Sequence, residues 1–272
     1  MSAPASGQLP VPPVSVTGAA VHLPGLSAAD IPGGPAEPAV APAEAYRVLG
    51  RKGLLAKEPA TRLAMCAAQT ALGLGIGKVA GPVAGAEGTG VVVASNLGNV
   101  ATVCNLVDTV RTEGKDGVSI MEGPNASSNV VASSIALRFG FTGPNFLVSS
   151  GATAGLDAVR LGSLLVRAGR THRCVVVGAE PDDDIATALR PGIRAAAAAV
   201  VLEPDADGPR LGTLTRSADA PTTGTVTGHA GETYGAEGVV ELATAVSGDA
   251  VPGSVSCGDH QDGYATLTVE SR

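Results

Sequence analysis

Aromatic side chains are nearly missing from this sequence. Of its 272 residues only 2% are Phe, Tyr or Trp, and Trp is absent. Packing must therefore rest on Ala, Val and Leu, which fill a core only at close range. Charge is scarce too: 16% of residues are charged against 44% apolar, the balance of a globular rather than a disordered chain. The excess is negative, −7, with a pI of about 5.1. That argues against nucleic acid or an anionic membrane as the main partner. No apolar run approaches the roughly 20 residues that span a bilayer. The N-terminus also lacks a basic stretch followed by an apolar one, so a cytoplasmic location is expected. Cys66, Cys104, Cys174 and Cys257 lie far apart with no metal spacing. The first three sit in apolar surroundings and read as buried free thiols. His22, His172 and His260 are isolated and read as surface or loop residues. Asp182-Asp183-Asp184 has no second acidic cluster beside it and reads as a solvated loop, so no metal is expected.

Proline and glycine supply the punctuation. Residues 1–13 hold Pro4, Pro10, Pro12 and Pro13 and read as a flexible tail. Val14–Gly18, with Val21 beyond it, reads as a strand, residues 24–45 as an irregular surface segment, and Tyr46–Leu55 as a connector. In that connector Arg51 and Lys52, with Lys57 just after it, form a small basic spot, read as a solvated loop. Apolar spacing predicts a helix from Thr61 to about Leu72. The glycine-rich Gly73–Gly81 follows that helix instead of a strand, so it is not read as a dinucleotide loop and no cofactor is expected. A buried strand is predicted at Gly90–Ala94, and helices at Val100–Arg111, stopped by Gly114, and at Ala126–Phe139. Arg194–Leu202 is an apolar run, and Tyr264–Val269 alternates as a final strand does.

The stretch from Gly143 to Glu180 organises the chain. Gly143-Pro144-Asn145 is turn chemistry, Phe146–Ser149 is a short β-prone run, and Ser150-Gly151 ends it. From Thr153 the apolar residues take helical spacing (Leu156, Val159, Leu161, Leu164, Leu165, Ala168), Gly169 closes the helix, and Cys174–Val177 reads as a buried strand. A turn between strand and helix can hold a small side chain at a helix N-terminus, where the dipole favours a thiolate nucleophile.

This stretch resembles the nucleophile turn of β-ketoacyl synthases, members of the thiolase fold. Laid on their pattern, the nucleophilic cysteine falls on Ala152, between Gly151 and Thr153. Ser95-Asn96-Leu97-Gly98-Asn99 resembles the family's Ser-Gly-x-Gly-Gly turn. Asn129, Val130, Ala132, Ser133 and Ala136 match its interface helix, and Val200-Val201-Leu202-Glu203 matches the strand that closes the first half. Beyond residue 203 the likeness thins. The family's Asn-Ala-His-Gly-Thr motif has no equivalent, and Thr225–His229 with Tyr234–Glu241 resembles the stretch bearing the second histidine, with Gly224 at the position of a lysine. Gly258-Asp259-His260 lies where the family has its Gly-Phe-Gly-Gly turn. The resemblance implies an α/β thiolase-like fold (layered α/β/α). Residues 14–203 would be a nearly complete N-terminal half, and residues 204–272 a reduced C-terminal half packed as one unit with it.

It also implies lost chemistry. Condensation on this fold needs a cysteine to carry the acyl chain and two histidines to stabilise the thioester enolate; with Ala152, at most His229 remains as a remnant. Type II polyketide systems contain such a subunit, the chain length factor. It pairs with an active ketosynthase and blocks the acyl tunnel at their interface. By resemblance the tunnel and interface positions here are Leu97, Ala101, Cys104, Asn105, Met121, Glu122, Asn129 and Ser133. None is aromatic, which points to a long or slim chain, reduced or polyene. The expected partners are a catalytic ketosynthase subunit and, mainly through it, an acyl carrier protein-bound chain. Two rivals stand beside this reading: a purely structural ketosynthase partner, and an acyltransferase or hydrolase using Ser150 with His229.

Overall fold

The computed structural model describes residues 12–221 and 231–271. In chain order its elements are β1 (Val14–His22), α1 (Tyr46–Leu49), α2 (Pro59–Ala71), β2 (Gly90–Ala94), α3 (Val100–Glu113) and α4 (Val130–Phe139). There follow β3 (Asn145–Val148), α5 (Ala154–Arg167), β4 (Cys174–Glu180), α6 (Asp184–Leu189), β5 (Ala196–Pro204) and β6 (Arg210–Ser217). The chain closes with α7 (Glu237–Ser247), β7 (Ser254–Asp259) and β8 (Gly263–Glu270). The mixed α/β thiolase-like fold expected from the sequence is what the chain adopts.

The eight strands join in the order β3-β2-β4-β5-β1-β6-β8-β7. β2 runs parallel to β3 and β4, and the remaining pairings are antiparallel. In the central strands successive residues feed two different cores. Cys174, Val176, Ala196, Ala198 and Val200 face one, while Val175, Val177, Ala197, Ala199 and Val201 face the other. This period of two, with both faces apolar, is why β4 and β5 read as continuous hydrophobic runs. α2 and α4 cover one side. On the other, α5 and α7 are held between the central strands and β6, β7 and β8.

Small residues let those two helices approach. A Cβ on Gly155 would lie 2.6 Å from the Gly238 nitrogen, and one on Gly238 would lie 2.5 Å from the Leu156 nitrogen. The backbones touch, and only glycine fits on both sides.

Beyond this helix layer the strands turn polar outward. Val255, Cys257, Ala265, Leu267 and Val269 face the core, whereas Ser256, Thr266, Thr213 and Thr268 alternate with them and hydrogen-bond among themselves across strands. A sheet with one apolar and one hydroxylated face is built to meet water on the second.

Several sequence expectations need correcting. The helix expected from Ala126 starts at Val130. Gly123–Ala126 is a separate 3-10 turn, and Ser127 is extended. The Asn99 side chain donates to the carbonyls of Asn125 and Ser127, both at 3.1 Å, where helix amides would otherwise bond. His22 is not a surface residue. It is buried at the end of β1 with Nε2 3.1 Å from the Val40 carbonyl, and burial pushes its pKa down. Asp183 is no loop carboxylate but the N-cap of α6, accepting from the Ala186 amide at 2.9 Å. The connector after residue 45 folds into the short α1. Cys66 and Cys174 are buried as expected, and burial pushes both thiols up to about 12. Cys104 is only half-buried. The expected tail lies outside the described residues, save Pro12 and Pro13.

Candidate functional site

The expected sequence of strand, turn and helix forms between β3 and α5. Gly151–Thr153 make a 3-10 turn that runs directly into α5, with Gly151 at φ +71 and Ala152 buried. The residue at the head of the helix is thus a methyl group, which offers no lone pair and cannot form a thioester.

The turn is pinned from two sides. Asn96 donates from Nδ2 to the Gly151 carbonyl at 3.0 Å and accepts from the Gly151 amide at 3.1 Å. Asn96 is itself held by Glu180, which accepts from the amides of Asn96 (2.8 Å) and Leu97 (3.0 Å). Glu180 is wholly buried at the end of β4, and burial pushes its carboxyl up to about 7 against the pull of those donors. From the C-terminal strands, Asp262 accepts the Ala152 amide at 2.8 Å. Asp262 is fixed in turn by Asp259, whose Oδ1 accepts the amides of Gln261 (2.9 Å) and Asp262 (2.8 Å). Arg190 is ion-paired with Asp259 and stacks 4.5 Å from the centre of the Tyr234 ring. Partial burial opposes the Asp259 charge, but these donors outweigh it and hold the carboxyl below its usual value. Tyr234, at φ +42, occupies the left-handed region that a residue with a Cβ seldom adopts.

The rival nucleophile, Ser150, is hydrogen-bonded to Asp157. Ser150 Oγ donates to Asp157 Oδ2 at 2.5 Å, Thr153 donates to the same oxygen at 3.1 Å, and Arg216 is ion-paired with the other. A carboxylate committed to an arginine and two hydroxyls is a poor general base. His229, Gly224 and the rest of the expected histidine stretch before residue 231 lie outside the described residues.

The expected tunnel and interface residues fall into two groups. Leu97 is buried with Ala186 and Ile193 in a small cluster against Val100 and Tyr234, so its side chain is already packed within this chain. Ala101 and Cys104 are half-buried on α3, while Asn105, Met121 and Glu122 are exposed. Asn129 donates to Asn145 Oδ1 at 2.6 Å and to Ser133 Oγ at 3.4 Å, linking α4 to β3. A small cavity of about 80 Å3 lies between the Ser95–Asn99 turn, α4 and β3. A larger groove of about 280 Å3 runs between α5 and β6, remote from all the expected site residues.

α3 has no buried residue at all. Val103, Val107 and Val110 line its exposed side, Ile120 (92% exposed) and Met121 (59%) follow it, and Phe146 stands half-exposed on the edge strand β3. Spacing alone predicts the amphipathic helix but not that its apolar side would be bare. Sequence reading also missed Asp262, Arg190 and the Asp157–Arg216 pair. Asp262 carries no motif; only its place beside the expected Gly-Phe-Gly-Gly turn signals it. No described helix is long and apolar enough to cross a membrane, and the described residues contain no cluster of His, Cys, Asp or Glu that could hold a metal ion.

Comparison with known proteins agrees with this architecture. The chain is similar to "The ishigamide ketosynthase/chain length factor", at 16% identity and a TM-score of 0.68, covering 94% of this chain and 98% of that one. It is similar to a chain of the ketosynthase ApeO in complex with its chain length factor ApeC from Xenorhabdus doucetiae (14% identity, TM-score 0.61, 96% and 99% covered). A third likeness is to a chain of AntDE:AntF, a type II polyketide synthase carrier protein in complex with its ketosynthase (13% identity, TM-score 0.62, 97% and 100% covered). No curated protein matches the chain. The family described as "Beta-ketoacyl synthase, N-terminal domain" matches residues 49–228, more than half the sequence. With a strand, a glycine turn and a buried helix around position 152 in that family's arrangement, the chain belongs to the β-ketoacyl synthases.

Proposed function

We propose that this chain is a noncatalytic, chain-length-factor-like subunit that pairs with an active ketosynthase. The observation that carries the reading is Ala152 at the head of α5, buried in an intact nucleophile turn without a nucleophile. The bare apolar surface of α3, Ile120, Met121 and Phe146 supplies the second half of the argument. Large apolar side chains left bare on a protein surface point to an interaction surface where they gather. Structures of the same fold include ketosynthase and chain length factor pairs, and that pairing is the occupant proposed here.

In this reading the partner carries the acyl chain, received from a carrier protein, and this subunit forms the far wall of the tunnel. Ala101, Cys104, Asn105, Met121 and Glu122 reach that wall from α3 and the segment after it. Asn129 and Ser133 hold α4 against the edge strand. None of these side chains is aromatic, which favours a long or slim product, reduced or polyene.

The first test is co-expression with a ketosynthase encoded beside it, followed by size-exclusion chromatography and mass measurement. A stable 1:1 complex is expected; a chain that stays apart from the ketosynthase would overturn the proposal. Tunnel gating is then separated from mere scaffolding by Ala101→Phe. Ala101 is half-buried on a helix with no buried residue, so the larger side chain is accommodated without rebuilding this chain's core. Shorter products are expected, whereas unchanged lengths leave a purely structural partner. Leu97→Phe is the poorer probe, because Leu97 is packed inside its own chain.

A further inference from the structure

Loss of the nucleophile is not the whole of the block at position 152. We infer that Asp262 is a built-in plug: its carboxylate occupies the amide at the head of α5 that acyl chemistry at position 152 would require, so restoring a cysteine there does not restore a reactive thiol. The inference rests on reading 152 as the nucleophile position and is independent of which partner the chain takes.

Two separate demands meet at that amide. A reactive thiolate at a helix N-terminus is stabilised by the positive end of the dipole and by unpaired backbone N–H groups. A thioester carbonyl that becomes a tetrahedral oxyanion needs the same kind of donor aimed at its oxygen. In this chain the Ala152 amide is given to Asp262 Oδ2 at 2.8 Å. The carboxylate is pressed so close that a Cβ on Gly151 would fall 2.1 Å from the same oxygen. An anion is therefore already seated where a second anion would have to form. The Cβ of residue 152 is joined to that nitrogen through Cα alone, so a sulfur there shares its surroundings with a full negative charge.

The plug is also held in place. Asp259 draws in the amides of Gln261 and Asp262, and Arg190, stacked on Tyr234, is ion-paired with Asp259. The turn between β7 and β8 thus presents Asp262 from a clamped base. Asp262 is itself exposed, and what holds it in place is its own backbone, whose amide Asp259 accepts.

The test uses the full chain, purified with its partner where that is needed, carrying Ala152→Cys alone, Ala152→Cys with Asp262→Asn, or Ala152→Cys with Asp262→Gly. The probe is iodoacetamide, and the readout is the alkylation rate at position 152 from pH 6 to 10, followed by peptide mass spectrometry. The single variant should titrate at least about one unit above the ordinary thiol value near 8.5. Either double variant should titrate lower and react about tenfold faster at pH 7. Asp249→Asn, an exposed carboxylate beyond the far end of α7, changes the net charge equally and should leave the profile unmoved. Superimposable profiles for the single and double variants, with circular dichroism showing each folded, would overturn the inference. Should one double variant misfold, the other decides. A thiol that is acidic and reactive in the single variant overturns it directly.

Discussion

At the scale of single residues, two buried carboxylates have consequences that can be read in solution. Burial pushes Glu180 up to about 7 despite its amide donors. Burial does the same to Glu237, opposed by the Gly231 amide and reinforced by Glu241. An unfolded glutamate titrates near 4.3. Between that value and about 7 the folded chain holds more protons than the unfolded one, so stability grows as pH falls through this window and is lost as pH rises through about 7. The melting temperature should accordingly be higher at pH 5.5 than at 7.5. Glu180→Gln cannot ionise and keeps a carbonyl oxygen for only one of the Asn96 and Leu97 amides; it should lower stability at both pH values and shrink the difference between them. A flat profile in the unmodified protein would show that both carboxyls titrate normally.

At the scale of elements, the crossing of α5 and α7 depends on two missing side chains. Gly155→Ala would drive a methyl into the backbone of Gly238, which cannot rotate away as a side chain can. Overpacking of this kind costs about 1–3 kcal/mol, measurable as a lower denaturant midpoint with an unchanged slope. A cost below about 0.5 kcal/mol would mean that the helices slide apart freely. These elements were largely legible in the sequence. The strand at Gly90–Ala94 and the helix ended by Gly114 stand where apolar period and glycine punctuation put them. The turn at position 152 was legible because strand, small residues and helical spacing follow one another within a few residues. Asp262 was not, because its contact with Ala152 spans 110 positions and an aspartate in a turn is unremarkable by itself. His22 misled because a histidine is of intermediate burial by type, and only the tertiary fold brings the Val40 carbonyl to it.

At the scale of the whole molecule, two surfaces have been treated in opposite ways. The outer face of β6, β7 and β8 is hydroxylated and needs no cover on that side. The surface of α3 and β3 remains apolar. Val107→Glu should leave the fold intact, within about 0.5 kcal/mol, because Val107 is half-exposed on a helix with no fully buried residue. The same change should abolish the proposed complex with a ketosynthase in a pull-down. If complex formation survives a charge at the centre of α3, that helix is not the contact.

The two ends of the sheet differ in the same manner. β3 closes one end and, among the described residues, pairs only with β2, with Phe146 exposed beside it. β7 closes the other, carrying Ser254 and Ser256, its last residue Asp259 tied back to Arg190. A subunit with two adhesive edges can be added to at both and grows into a filament. One with a single adhesive edge has nothing left to offer once that edge is taken. In the proposed pairing, the asymmetry between β3 and β7 would limit association through this sheet to two.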